Sequence, residues 1–472
     1  MKRWAEGVGV ATAALAAAFA ATPRVFALDD AYIALHSARV VIAGHDAVFG
    51  TPALTGVTSP AYVALLVALL RLGVSDAQAL RTATALGLAA YIGGVWTLAA
   101  VAGVRSYWSR AAVTVVAVAA GLGVINATNG LETGWAMAVI GWLIAATVAR
   151  NLPAVGLLAG VLPCLRPDLL PAAVLLALSS VWRRDWRTRL ALAGLALATA
   201  APFLAWLHGS TGAWIPETMR AKRLFYAEGC LPVLVKSGLF VHRLGLSVAS
   251  LGLLALGVLE LPRDRTGRIG LLAAGISLAA YWAAFPTALT YSYCRYFYPI
   301  AVPWCCWGIA RLVVRCPRPL VGPGLAGAVV ATLVLLSASW PEQAPFYQEA
   351  AATADWIDAH VPKGDVVLVH DAGVISERGH RRAVDMVGLK TPGSIDAHAR
   401  WTWPSCGAER GLAIGAIART SGASFLILDP SWERTFNVTE GLVSQGIQIE
   451  LVRRPDRETG YSIYRLQLSR GH

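Results

Sequence analysis

Residues 153–207 read PAVGLLAGVLPCLRPDLLPAAVLLALSSVWRRDWRTRLALAGLALATAAPFLAWL, and this stretch decides the fold. Apolar runs at about 153–165, 168–181 and 190–207 are separated only by Arg166-Pro167-Asp168 and by the loop 182–189, which carries Arg183, Arg184, Arg187 and Arg189. A helix needs about 20 apolar residues to cross roughly 30 Å of hydrocarbon. Short loops rich in arginine stay on the cytoplasmic side, so the pattern reads as membrane helices punctuated by an inner loop.

The rest of the chain agrees with this stretch. Its 472 residues are 56% hydrophobic and 14% charged, against roughly 25% charged in a soluble domain. The net charge of +12 does not mark a nucleic-acid binder, because the basic residues sit between apolar segments and form no single face or tail.

Starting inside at Lys2 and Arg3, a first span over 7–26 leaves residues 27–78 as an outer loop. The Ala-rich start and Val25-Phe26-Ala27 imitate a cleaved secretory signal; they are read as an uncleaved span, because the residues that follow look functional. Within the loop, the apolar run from Pro60 to Leu72 is too short to cross. Further spans follow at 79–103, 111–125, 133–149, the three above, 243–260, 269–286, 297–314 and 320–339. Arg105, Arg110, Arg150, Arg263, Arg265, Arg268, Arg315 and Arg318 then all fall inside. About eleven spans result, with the C-terminus outside. Joining 153–181 into one kinked helix would reverse everything downstream, against the arginine bias.

Composition changes near residue 341. Val366–Val369, Phe425–Leu428 and Ile447–Leu451 read as strands alternating with helical stretches, so the expectation is a transmembrane module, 1–340, followed by a small extracytoplasmic α/β domain, 341–472. The seven cysteines form no CxxC pair, which leaves no zinc or redox motif. Cys230 and Cys406 both fall outside, where an oxidising compartment lets them pair. His36, His45, His370 and His380 have no metal-ligand spacing.

Asp29-Asp30 stands at the exit of the first span. Ionisable groups beside a bilayer are costly and are functional candidates by default, although a carboxylate pair also suits the first turn of a helix. Glu132, at the mouth of a later span, allows the same two readings. The Tyr291, Tyr293 and Tyr296 group fits either a sugar site or an interfacial aromatic belt. Arg220, Lys222 and Arg223 fit either a ligand or lipid headgroups.

The order of short motifs then adds a resemblance. Asp29-Asp30-Ala31-Tyr32-Ile33, Ala38-Arg39, Gly44-His45, Val48-Phe49 and Gly56-Val57-Thr58-Ser59-Pro60 resemble the first outer loop of GT-C glycosyltransferases. The likeness is greatest to bacterial arabinofuranosyltransferase-like and mannosyltransferase-like members, which use polyprenyl-phosphate sugars. Asn129-Gly130-Leu131-Glu132-Thr133, Leu165-Arg166-Pro167-Asp168, Arg295-Tyr296-Phe297-Tyr298-Pro299 and Asp371-Ala372-Gly373 continue it. The sequence departs from the pattern at His36-Ser37 and at Thr55, where the family has a glutamate before Gly56.

The resemblance implies an all-α polytopic bundle of GT-C type in the bacterial inner membrane, with the N-terminus cytoplasmic and the C-terminal domain periplasmic. It implies inverting transfer from a polyprenyl-phosphate donor to an envelope glycan, lipid or protein, with Asp29 as general base and Asp30 orienting the acceptor or tuning its neighbour. Glu132 would meet the pair across the bundle. Arg295 is the first choice for the donor phosphate, with Tyr296, Arg39, Arg166, Lys222 and Arg223 following. No cofactor is implied, and a divalent cation at Asp29 and Asp30 is compatible but not required. Two other readings compete: a transporter or flippase for lipid-linked sugars, and a non-catalytic envelope scaffold. A transporter calls for charges at mid-span on broken helices in repeated halves; here the charges cluster at helix ends and no repeat is visible.

Overall fold

The computed structural model describes residues 2–315, 343–455 and 460–468. Every expected span inside these residues overlaps a helix, and the last, 320–339, lies outside them. Arg3–Ala21, Asp76–Val101, Trp186–Thr211, Arg265–Ala284 and Phe297–Arg315 are long and apolar enough to cross a membrane. Tyr107–Ala119, Thr133–Val148, Leu152–Leu165 and Pro167–Val181 are apolar but shorter.

Local chemistry sets the breaks. Pro167 disfavours the helical region for the residue before it, and Arg166 is extended (φ −148°, ψ 108°), so 153–181 forms two helices and not one kinked rod. The expected span 243–260 is not one straight helix. Val233–Ala249 and Gly252–Arg263 meet at 106°, where Gly252 turns with φ 55° and Tyr298 Oη donates to Ser250 O at 2.7 Å. Helices Lys2–Ala21 and Asp76–Val101 approach so closely that a Cβ on Gly93 would lie 2.6 Å from Gly7 O, the small-residue packing that membrane helices favour.

Residues 343–468 carry a five-stranded mixed sheet of β1 (Val366–Val369), β2 (Arg382–Asp385), β3 (Ala423–Leu428), β4 (Gln448–Arg453) and β5 (Ser462–Gln467). The order is β2-β1-β3-β5-β4, with β2, β1 and β3 parallel and β5 antiparallel to both its neighbours. β2 and β5 are additions to the strands expected from sequence.

This sheet sits on the first loop. The helix Val374–Arg378 packs against Asp29–Ala43, and Ala383 N donates to Val48 O at 2.9 Å. Cys230 and Cys406 form the expected disulfide, with Cα atoms 5.6 Å apart. Cys164, Cys294, Cys305 and Cys306 are free and buried.

Candidate active site

Asp29 and Asp30 open the helix Asp29–Ala43, where carboxylates suit the positive end of the dipole. Successive helical residues point about 100° apart, so the two side chains serve different neighbours. Asp29 faces the C-terminal segment: Gly373 N donates to Oδ2 at 2.6 Å and Val374 N to Oδ1 at 2.8 Å. The carboxylate thus caps a helix 344 residues downstream. A Cβ on Gly373 would collide with the Asp29 backbone carbonyl, so this approach requires glycine.

Asp30 faces the membrane module. Its Oδ2 accepts from Lys222 Nζ at 3.3 Å and is ion-paired with Arg295 Nη2. Tyr296 Oη closes the cluster, accepting from Lys222 Nζ at 3.0 Å and Arg295 Nη2 at 2.9 Å. Burial alone would raise the Asp30 carboxyl, but the two cations outweigh it and hold it well below the usual carboxylate range. Burial, then the nearby Asp371 carboxylate, push Asp29 the other way, well above that range, against the opposing pull of the Val374 and Gly373 amides. Adjacent carboxyls pushed apart in this way are suited to different tasks.

Arg295 is delivered by an unusual turn. Ser292, Tyr293 and Cys294 have φ 48°, 61° and 63°, a left-handed run that costs non-glycine residues of order 1–3 kcal/mol each. Asn126 Nδ2 donates to Tyr293 O at 2.8 Å and holds it.

The cluster lines a cavity of about 380 Å³ whose other lining is largely aliphatic, including Ile33, Val63, Leu131 and Ile276. Against the same Tyr296 ring, its guanidinium 5.1 Å from the ring centroid, Arg166 makes a bidentate pair with Asp168 (3.2 and 2.9 Å) and reaches Glu132 at 3.4 Å. Tyr281 Oη donates to Asp168 at 2.8 Å. A second cavity, about 270 Å³, opens on the far side of Asp30, Lys222, Arg295 and Tyr296, against His370, Asp371 and Asp429.

The structure therefore brings together Asp30, Lys222, Arg295 and Tyr296, with Asp29 beside them. Glu132 shares the first cavity but pairs with Arg166, not with the aspartates. Arg223 lines the cavity and stacks over Trp403. Arg39 lines neither cavity; Asp76 and Glu377 supply its counter-charge at 3.5 and 3.2 Å. Among the described residues no cluster of three or more His, Cys, Asp or Glu has the arrangement of a metal site. Ser37 and Thr55, where the sequence departs from the resemblance, form a socket for the buried Lys390 ammonium: Nζ donates to Ser37 Oγ at 3.1 Å and Thr55 O at 2.9 Å.

A polytopic membrane protein with a greasy cavity ending in paired cations, roofed by a small sheet, is the class that these features define. Among solved structures it is similar to ArnT from Cupriavidus metallidurans bound to undecaprenyl phosphate (14% identity, 98% of this chain and 97% of that one, TM-score 0.54). The apo ArnT structure gives 14%, 97% and 97%, and 0.53. The arabinofuranosyltransferase AftD from Mycobacteria gives 16% identity over 99% of this chain but 40% of that one, with a TM-score of 0.48. The chain has the GT-C fold. Residues 342–464 match a family described as a domain of unknown function (DUF8728). No curated protein sequence matches the chain.

Proposed function

We propose that the chain is a membrane glycosyltransferase that moves a sugar from a polyprenyl-phosphate donor to an acceptor hydroxyl outside the cytoplasm, with inversion. The observation that carries this reading is the first cavity, where an aliphatic wall leads to Lys222 and Arg295, the shape and charge of a polyprenyl phosphate. Asp29 takes the proton of the acceptor hydroxyl as its oxygen attacks the anomeric carbon. The bond from that carbon to the phosphate oxygen breaks on the opposite face, and the polyprenyl phosphate leaves with the electron pair. Lys222 and Arg295 bind the charge that gathers there, and Asp30 keeps both cations aimed. Arg166, closed by Glu132 and Asp168, packs over Tyr296 and braces the cluster. No metal enters this scheme.

The inner-membrane topology belongs to the same proposal. The sheet packs on the first loop, so both share a side, and an even number of crossings must join them. The sequence count meets that parity, and the Cys230–Cys406 disulfide suits an oxidising exterior. The test compares envelope glycans and lipid-linked sugars extracted from cells carrying the intact chain or Asp29→Asn. Accumulated donor and missing product are expected with the variant; wild-type product from both Asp29→Asn and Asp30→Asn would sink the reading.

A further inference from the structure

The second cavity lies between the cation cluster and the carboxyl ends of the parallel strands β1 and β3, where ligands of α/β sheets commonly bind. His370 and Asp371 follow β1, and Asp429 follows β3. Their hydrogen-bonding capacity is specific. His370 is 3% exposed, and its ring is clamped flat on Trp432, centroids 4.2 Å apart. Its Nε2 accepts the Asp429 backbone N–H at 2.9 Å, so the proton of the neutral ring sits on Nδ1. That Nδ1 lies 3.1 Å from Asp371 Oδ1 but out of line for a hydrogen bond, and it has no hydrogen-bond partner. Asp371 Oδ2 is held by the Tyr461 hydroxyl at 2.7 Å.

We propose that this cavity is the acceptor site of the transferase proposed above, and that its C-terminal wall selects an uncharged polyhydroxyl group, a neutral glycan end, over phosphorylated or amino-bearing ones. The inference rests on the transferase reading and narrows its acceptor. The wall offers the carboxylates of Asp29, Asp371 and Asp429, which accept, beside the Lys222 ammonium and the Arg295 guanidinium, which donate. A hydroxyl supplies both functions at once; an ammonium has no acceptor and an ionised phosphate no donor. Charge points the same way. The three carboxylates repel a phosphate, while Lys222 and Arg295 on the shared wall repel an ammonium. An acceptor hydroxyl here also stands between Asp29 and the cations that hold the donor phosphate.

The experiment uses the purified full-length protein in nanodiscs and matched probes: methyl mannobioside, its 6-phosphate and its 6-amino derivative, read by saturation-transfer NMR, with undecaprenyl phosphate as the probe of the first cavity. The neutral probe is expected to bind at least about tenfold more tightly than either charged one. Asp371→Asn is expected to weaken it about five- to tenfold while leaving undecaprenyl phosphate binding unchanged, which also reports that the variant is folded. If the neutral probe fails to bind or binds no better than a charged one, the proposal falls, on the wild-type protein alone. Unchanged neutral binding in Asp371→Asn overturns it as well. Loss of undecaprenyl phosphate binding by the wild-type protein would instead strike the donor reading, so the two failures are separable.

Discussion

Two charge clusters face one cavity and are built from the same parts, yet their balances are opposite. At Arg166, two carboxylates close on one guanidinium, and Tyr281 donates its hydroxyl to Asp168. At Asp30, one carboxylate serves two cations, and Tyr296 accepts from both. The tyrosines have reversed roles because the surplus charge has changed sign. A cluster with surplus acid has its cation satisfied and acts as a brace; one with surplus base is completed by an anion. The difference assigns function to one cluster and architecture to the other.

The largest effect is expected beside the surplus-base cluster. Asp29→Asn keeps the shape but cannot take a proton, so turnover should fall about 10²- to 10⁴-fold with donor binding retained; single-turnover rates measure it, and a wild-type rate breaks the scheme.

Next, Arg166→Ala leaves the part-buried Glu132 and Asp168 carboxylates without a counter-charge and should cost about 1–3 kcal/mol of stability, read by thermal unfolding in nanodiscs. Arg295→Ala should instead weaken undecaprenyl phosphate binding about tenfold to a hundredfold, the worth of a charged hydrogen bond. The reverse pattern, with Arg166 controlling binding and Arg295 only stability, would invert the comparison.

The pH dependence sharpens it further. Burial and the Asp371 carboxylate raise Asp29, so the base becomes protonated, and activity fades, as pH falls through a value above the ordinary carboxylate range. Asp371→Asn removes the like charge and should shift this acid limb of kcat/KM to lower pH; a limb that stays in place denies Asp29 its role. The smallest effect is expected at the turn that delivers Arg295. Ser292→Gly relieves φ 48° and should stabilise the protein by about 0.5–1 kcal/mol, which chemical or thermal unfolding can resolve.

What could be read in the sequence was what single residues or short runs declare. Apolar length and arginine placement marked the helices, and the Asp pair with Arg295-Tyr296 marked the polar end of the cavity, because such groups beside a bilayer are rare. Partnerships were less legible. The clamp on Asp29 is made by backbone amides of Gly373 and Val374, which have no side-chain signature, although Asp371-Ala372-Gly373 already stood out. Arg39 looked like a phosphate ligand, since nothing local announces Asp76 and Glu377 as its partners. Tyr281 hides in an apolar helix, and its bond to Asp168 spans 113 positions. Strand β5 carries apolar residues at Ile463, Tyr464 and Leu466, but they do not alternate, and this masked it.

The amide clamp on Asp29 also sets a clock. A ribosome adds roughly 5–20 residues per second, so the 344 positions from Asp29 to Gly373 correspond to roughly 17–70 s of synthesis. Throughout that interval the carboxylate is already made while the amides that orient it are not. On the proposed mechanism the nascent chain is therefore chemically silent until its last quarter has folded back onto its first loop, and each copy is switched on only by its own completion.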